Sequence, residues 1–149
     1  MSLARTLAVM RNNPFLSVLG EEGLKLLAFD SDSISLKPRE SLFEAGEDAS
    51  DAILFLGGLL RFIPQATGSV PRVYGVGELV DELALIVPSK RTATAIAQTS
   101  CEVFPLKRER MLRILNEYPQ SARRLQRLIA QQSSEMIREV SSVQDRLRR

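Results

Sequence analysis

Glu82 and Arg91, nine residues apart, are the pair of charged side chains best placed to do chemistry in this chain. They sit in the segment GELVDELALIVPSKRTATA, residues 77–95. It reads as a Gly-Glu turn, a short helical run from Asp81 to Ile86, a kinked connector Val87-Pro88-Ser89-Lys90, and an alternating strand from Arg91 to Ile96. Backbone N–H groups at a helix start, together with an arginine fork, suit a phosphate. A carboxylate beside them accepts hydrogen bonds from a sugar hydroxyl.

Other kinds of chemistry find little support. The chain has no His, which removes the commonest general base and metal ligand. Its single Cys101 lies in a strand-like run, 101–106, and reads as a small core residue rather than a nucleophile. One Cys excludes an internal disulfide and fits a reducing cytoplasm. With no acid–base pair, zinc spacing or Walker loop, the chain reads as a binding protein with no metal and no cofactor, not as an enzyme.

The rest of the 149 residues must position the segment. That length suits one domain with its own core. The composition, 44% hydrophobic and 26% charged, is that of a soluble globular protein. Trp is absent and aromatics make up 5%, so the core must be mostly aliphatic. There is no apolar run long enough for a membrane span and no signal-like N-terminus, so the expected location is the cytoplasm. Leu3–Met10 reads as a short amphipathic helix stopped by Asn12-Asn13-Pro14, and Glu21–Phe29 as a second, with acidic residues at its start. Residues 31–106 read as all-β, with short strands at 33–36, 41–43, 52–56, 59–63, 70–76 and 102–106. Gly57-Gly58 marks a sharp reversal, and the strand-turn rhythm suggests a small antiparallel barrel or jelly roll. A helix over Lys107–Asn116 is broken at Pro119, and a long helix follows over 120–148. Its seam, Leu125, Ile129, Met136, Val140, Val143 and Leu147, has coiled-coil spacing interrupted by Gln132. Residues 107–149 hold eleven Lys/Arg against five Asp/Glu, which reads as a solvated helix face.

Segment 77–95 resembles the phosphate-binding cassette of cyclic-nucleotide-binding domains. The family pattern is roughly G-E-x-x-G-E-L-A-L, a connector, then R-x-A-T. Gly77, Glu78, Glu82, Leu83, Ala84, Leu85, Arg91, Ala93 and Thr94 match it without a gap. Gly46, Asp51, Ile53, Phe55, Leu56 and Gly58 resemble a second stretch of the same domain, G-D-x-x-D-x-x-Y-x-I-x-x-G. The resemblance covers about residues 14–145. It implies an α+β fold, a small antiparallel β-barrel or jelly roll (a double-stranded β-helix) flanked by short N-terminal helices and a long C-terminal helix. The whole chain, 1–149, would be one domain. Residues 1–30 form its lead-in, 31–106 the barrel with the cassette at 77–95, and 107–149 the C-terminal helices.

Carried over residue by residue, the resemblance implies a stand-alone sensor or regulatory domain for cAMP or cGMP. Glu82 would hold the ribose 2′-hydroxyl. Arg91 would pair with the cyclic phosphate, helped by Thr92 and the N–H groups of Leu83 and Ala84. The positions of a base-contacting Thr-Ser pair in the activators fall on Met136 and Ile137, with Gln132 and Ser133 one turn back as substitutes. In the catabolite-activator branch the matching helix pairs with its mate, which implies a homodimer through residues 120–148. That branch continues into a helix-turn-helix DNA-binding domain, whereas this sequence stops at Arg149.

One residue departs from the pattern. Asp81 stands where the family has Gly, directly before Glu82. It has two possible roles. The benign role is to cap the short helix while pointing outward; the expected one is interference, a second carboxylate close to where a phosphate would sit, which weakens cAMP and cGMP binding and is relieved by Asp81→Gly. The second role leaves open an alternative for the whole chain, a degenerate barrel that binds no nucleotide and serves as a dimerising interaction module.

Overall fold

The computed structural model describes residues 3–29, 31–65, 68 and 70–131. Three helices lead in: α1 (Leu3–Arg11), α2 (Pro14–Ser17) and α3 (Gly20–Ala28). Asn12-Asn13-Pro14 stops the first helix and also starts another. The Asn13 side chain accepts hydrogen bonds from the Phe15 and Leu16 N–H groups, with Pro14 in the first turn, so α2 forms where the sequence suggested only an apolar patch.

Among the described residues ten strands follow the lead-in: β1 (Ile34–Leu36), β2 (Ser41–Phe43), β3 (Asp48–Ala49), β4 (Asp51–Gly57), β5 (Leu60–Pro64), β6 (Arg72–Tyr74), β7 (Leu79–Val80), β8 (Ser89–Lys90), β9 (Ala93–Ala97) and β10 (Cys101–Lys107). One antiparallel sheet has the order β1-β10-β4-β7 and the other β2-β9-β5-β6, with a small β3-β8 ladder beside them. The architecture is therefore the α+β, antiparallel jelly roll expected from the sequence. Gly58 makes the turn between β4 and β5 with φ 79°, and a Cβ there would lie 2.1 Å from the Ser100 carbonyl oxygen, so only Gly fits.

Both faces of the first sheet are covered. Ile53 and Phe55 of β4 join Phe43, Leu60, Phe62, Ala95 and Val103 in a core between the two sheets. Ala52, Leu54 and Leu56 point the other way, into a second core with Leu7, Met10, Leu16, Leu24 and Leu27 of the lead-in helices. This double burial explains why β4 reads as a continuous apolar run. On β9 the buried positions are the alternate ones Ala93, Ala95 and Ala97; such small side chains leave space for the ring pair Phe43–Phe62, 5.6 Å apart and edge-to-face.

Helix α4 (Arg108–Glu117) buries Met111 and Ile114 in the helical core. After Tyr118 and the expected break, a helix α5 runs over 119–131. Leu125 is buried in the same core, with Leu128 and Ile129 packed against it. The first two seam positions are thus covered by their own chain. Met136, Val140, Val143 and Leu147 lie outside the described residues.

Candidate functional site

The cassette is fastened to β4 at its entrance. The Gly77 N–H donates to the Phe55 carbonyl and the Phe55 N–H to that of Glu78, both at 3.0 Å. Asn13 reaches over from the lead-in and donates to the Gly77 carbonyl at 3.3 Å. β7 then pairs with Ile53 and Leu54. The expected short helical run is a 3-10 turn, Glu82–Leu85. Ala84 and Leu85 are buried, and Leu85 belongs to the helical core. The connector ends in β8, which pairs Asp48 with Lys90 and Ala49 with Ser89; this short ladder was not foreseen because two-residue strands carry no periodicity.

Glu82, Leu83, Ala84 and Thr92 all line one cavity of about 710 Å³. Its aromatic wall is Phe62 and Tyr74, with ring centroids 4.7 Å apart. Arg72 lies over the Tyr74 ring at 4.2 Å and pairs with Glu78 at 3.3 Å. Lys90 pairs with Asp48 at 3.2 Å. Burial pushes the Glu82 carboxyl above the ordinary range for a glutamate, because the charged form loses water without gaining a cation.

Arg91 is not among the lining residues. It sits in the link between β8 and β9 rather than at the head of a strand, and is only 7% exposed. Its backbone is clamped by Glu47 and Gly46, each bond 2.8 Å. The guanidinium lies over the Phe43 ring at 4.2 Å. Nη2 donates to the Asp51 carboxylate. Nη1 donates to the Asp51 carbonyl at 3.1 Å and to the Asp81 carboxylate at 2.9 Å.

Two cassette residues differ from roles considered in the sequence. Asp81 does not cap the turn while pointing outward. It makes no side-chain capping bond, adopts the left-handed conformation (φ 59°, ψ 43°), and directs its carboxylate inward to Arg91. The Ala84 N–H is not free for a ligand, since it donates to the Asp81 carbonyl at 2.9 Å.

Some functional neighbours had little or no signal in the sequence. Asp51 was placed by its match to the second family stretch, but its contact with Arg91 spans forty residues. Arg108 had no signal at all. Its Nη1 donates to the carbonyls of Ala49, Val87 and Ala84 at 2.9, 3.2 and 3.3 Å, fastening the cassette to the start of α4. The suggested base contacts Gln132, Ser133 and Met136 lie outside the described residues.

A family model described as the cyclic nucleotide-binding domain matches residues 33–118, more than half of the chain. The chain belongs to the cyclic-nucleotide-binding domain family, a class of regulatory domains rather than enzymes. Among solved structures it is similar to the N-terminal domain of a transcriptional regulator from Streptomyces coelicolor A3(2), with 25% identity, TM-score 0.77, and 89% of this chain and 94% of that one covered. It is also similar to a cyclic nucleotide-binding-like protein from Brucella abortus, with 27% identity, TM-score 0.64, and coverage of 74% and 97%. The Thermus thermophilus catabolite activator protein shares the fold at 24% identity and TM-score 0.68; 89% of this chain matches 63% of that one. No curated protein sequence matches the chain. Among the described residues no helix is long and apolar enough to cross a membrane.

Proposed function

We propose that the chain is a cytoplasmic sensor domain that takes cAMP or cGMP into the cavity beneath the cassette. The observation that carries this reading is the convergence of Glu82, Leu83, Ala84 and Thr92 on one cavity of nucleotide size, with the Arg91 guanidinium bonded to a residue of its wall. Glu82 accepts from the ribose 2′-hydroxyl. Arg91 pairs with the cyclic phosphate, assisted by the Thr92 hydroxyl and the Leu83 N–H. The Phe62–Tyr74 wall offers the base an aromatic surface. Membership of the family supports the reading, as does the Brucella relative's name. A homodimer through residues 120–148 belongs to the same proposal, supported by the apolar seam in the sequence.

One observation favours a second reading, a degenerate barrel acting as an interaction module. Arg91 is already matched by two carboxylates, Asp51 and Asp81. Calorimetric titration with cAMP and with cGMP separates the two. The sensor reading expects saturable binding at one site per chain, lost in Glu82→Ala. No saturable binding of either nucleotide, in the native protein or in Asp81→Gly, sinks it.

A further inference from the structure

We propose that Asp81 is a tethered anion, a carboxylate that occupies Arg91 in place of a ligand phosphate and so sets how readily the cavity admits anionic ligands. The proposal rests on the reading of Arg91 as the phosphate anchor.

The first support is backbone geometry. Among the described non-Gly residues only Arg39 and Asp81 have positive φ. Such a conformation carries a cost for most L-residues, and Asp is among those that tolerate it best. A helix cap would be the usual compensation, but Asp81 makes no side-chain capping bond. What the conformation achieves is to aim the carboxylate at Arg91, with the side chain 20% exposed.

The second support is the state of Arg91. Its two terminal nitrogens serve two carboxylates and a carbonyl, and its face is covered by Phe43. One positive charge meets two negative ones. Both Nη1 donors are taken, one by the Asp51 carbonyl and one by the Asp81 carboxylate, so a phosphate that binds there competes with Asp81. Asp51 is the less displaceable of the two. It is fixed in β4 opposite Lys107, and its own carbonyl shares the same guanidinium. Asp81 lines the cavity and stands on a turn, so it is the carboxylate that an entering ligand meets.

The third support is that, among the described residues, the cations lining the cavity already have acidic partners. Its two lining cations, Arg72 and Lys90, are paired with Glu78 and Asp48. An anion that binds Arg72 or Lys90 therefore competes with a carboxylate already beside it.

The test compares the native chain with Asp81→Gly and Asp81→Asn, each titrated with cAMP, cGMP and inorganic phosphate and each first checked for folding by a thermal melt. Gly suits the left-handed backbone, and Asn tolerates it while losing the charge, so the comparison does not depend on a single variant. The expected result is cyclic-nucleotide binding about tenfold tighter or more in Asp81→Gly, with Asp81→Asn intermediate. A gain for inorganic phosphate without one for the nucleotides supports the tethered anion and removes the nucleotide reading. Saturable nucleotide binding of equal affinity in native and variant chains, with no gain for inorganic phosphate, overturns the tethered anion and leaves the nucleotide reading standing. No gain for any of the three anions overturns the proposal.

Discussion

Arg91 shows how one side chain serves two demands. A buried guanidinium needs anionic partners in the unliganded fold, and here Asp51 and Asp81 provide them. Arg91→Ala leaves both carboxylates without their cation. It is expected to destabilise the fold by about 3 kcal/mol, a fall of roughly 10 °C in Tm for a chain of this size. A melt unchanged within a degree or two would show that the pairs contribute nothing. Glu82 differs, because burial raises its pKa without a compensating cation. A raised folded pKa favours the fold below the ordinary glutamate value and penalises it as pH rises through the raised one. Glu82→Gln should therefore raise Tm slightly at pH 7, with the gain fading as pH falls toward 4. A gain that persists or grows at low pH contradicts burial as the cause. The cavity positions Glu82, Leu83, Ala84 and Thr92 were readable from a contiguous pattern. The direction of Asp81 was not, because a positive φ at a non-Gly residue is imposed by distant partners and leaves no local mark.

Among the elements, β2 falls on the expected residues 41–43, and β5, with its alternation of buried and exposed residues, lies within one residue of the expected 59–63. β3, β7 and β8 are two residues long and exist only through pairing, so no periodicity announces them. The expected strand over 70–76 shrinks to Arg72–Tyr74, since Gly75 and Gly77 begin the turn into the cassette. The cassette is joined to α4 by the packing of Leu85 in the helical core and by Arg108, which donates to carbonyls of β3, the 3-10 turn and the connector. Arg108→Met keeps the apolar stem and removes the donors, leaving three carbonyls to find water. A loss on the order of 2 kcal/mol follows, with amide hydrogen exchange accelerated over residues 84–90 more than in β9. Uniform acceleration across the chain would mean that Arg108 supports the fold in general rather than the cassette in particular.

On the scale of the molecule, a sheet buried on both faces separates two cores, one between the sheets and one under the helices. The cassette contributes to both: Val80 packs into the first and Leu85 into the second. The C-terminal seam divides as well. Leu125 is consumed by the chain's own core, which leaves the proposed dimer contact to the positions from Met136 onward. Light scattering at micromolar concentration should give about twice the mass of one chain, reduced to a single mass by Val140→Glu with Val143→Glu. A native monomer would end the dimer proposal. The proposal that a cyclic nucleotide occupies the cavity is tested most directly by titrating the native chain with cAMP and cGMP while following the Leu83 amide and Arg91 Nε resonances. Saturable shifts of both together, with the Arg91 signal moving as Asp81 is displaced, are the predicted result. Millimolar nucleotide that leaves both resonances in place would contradict it.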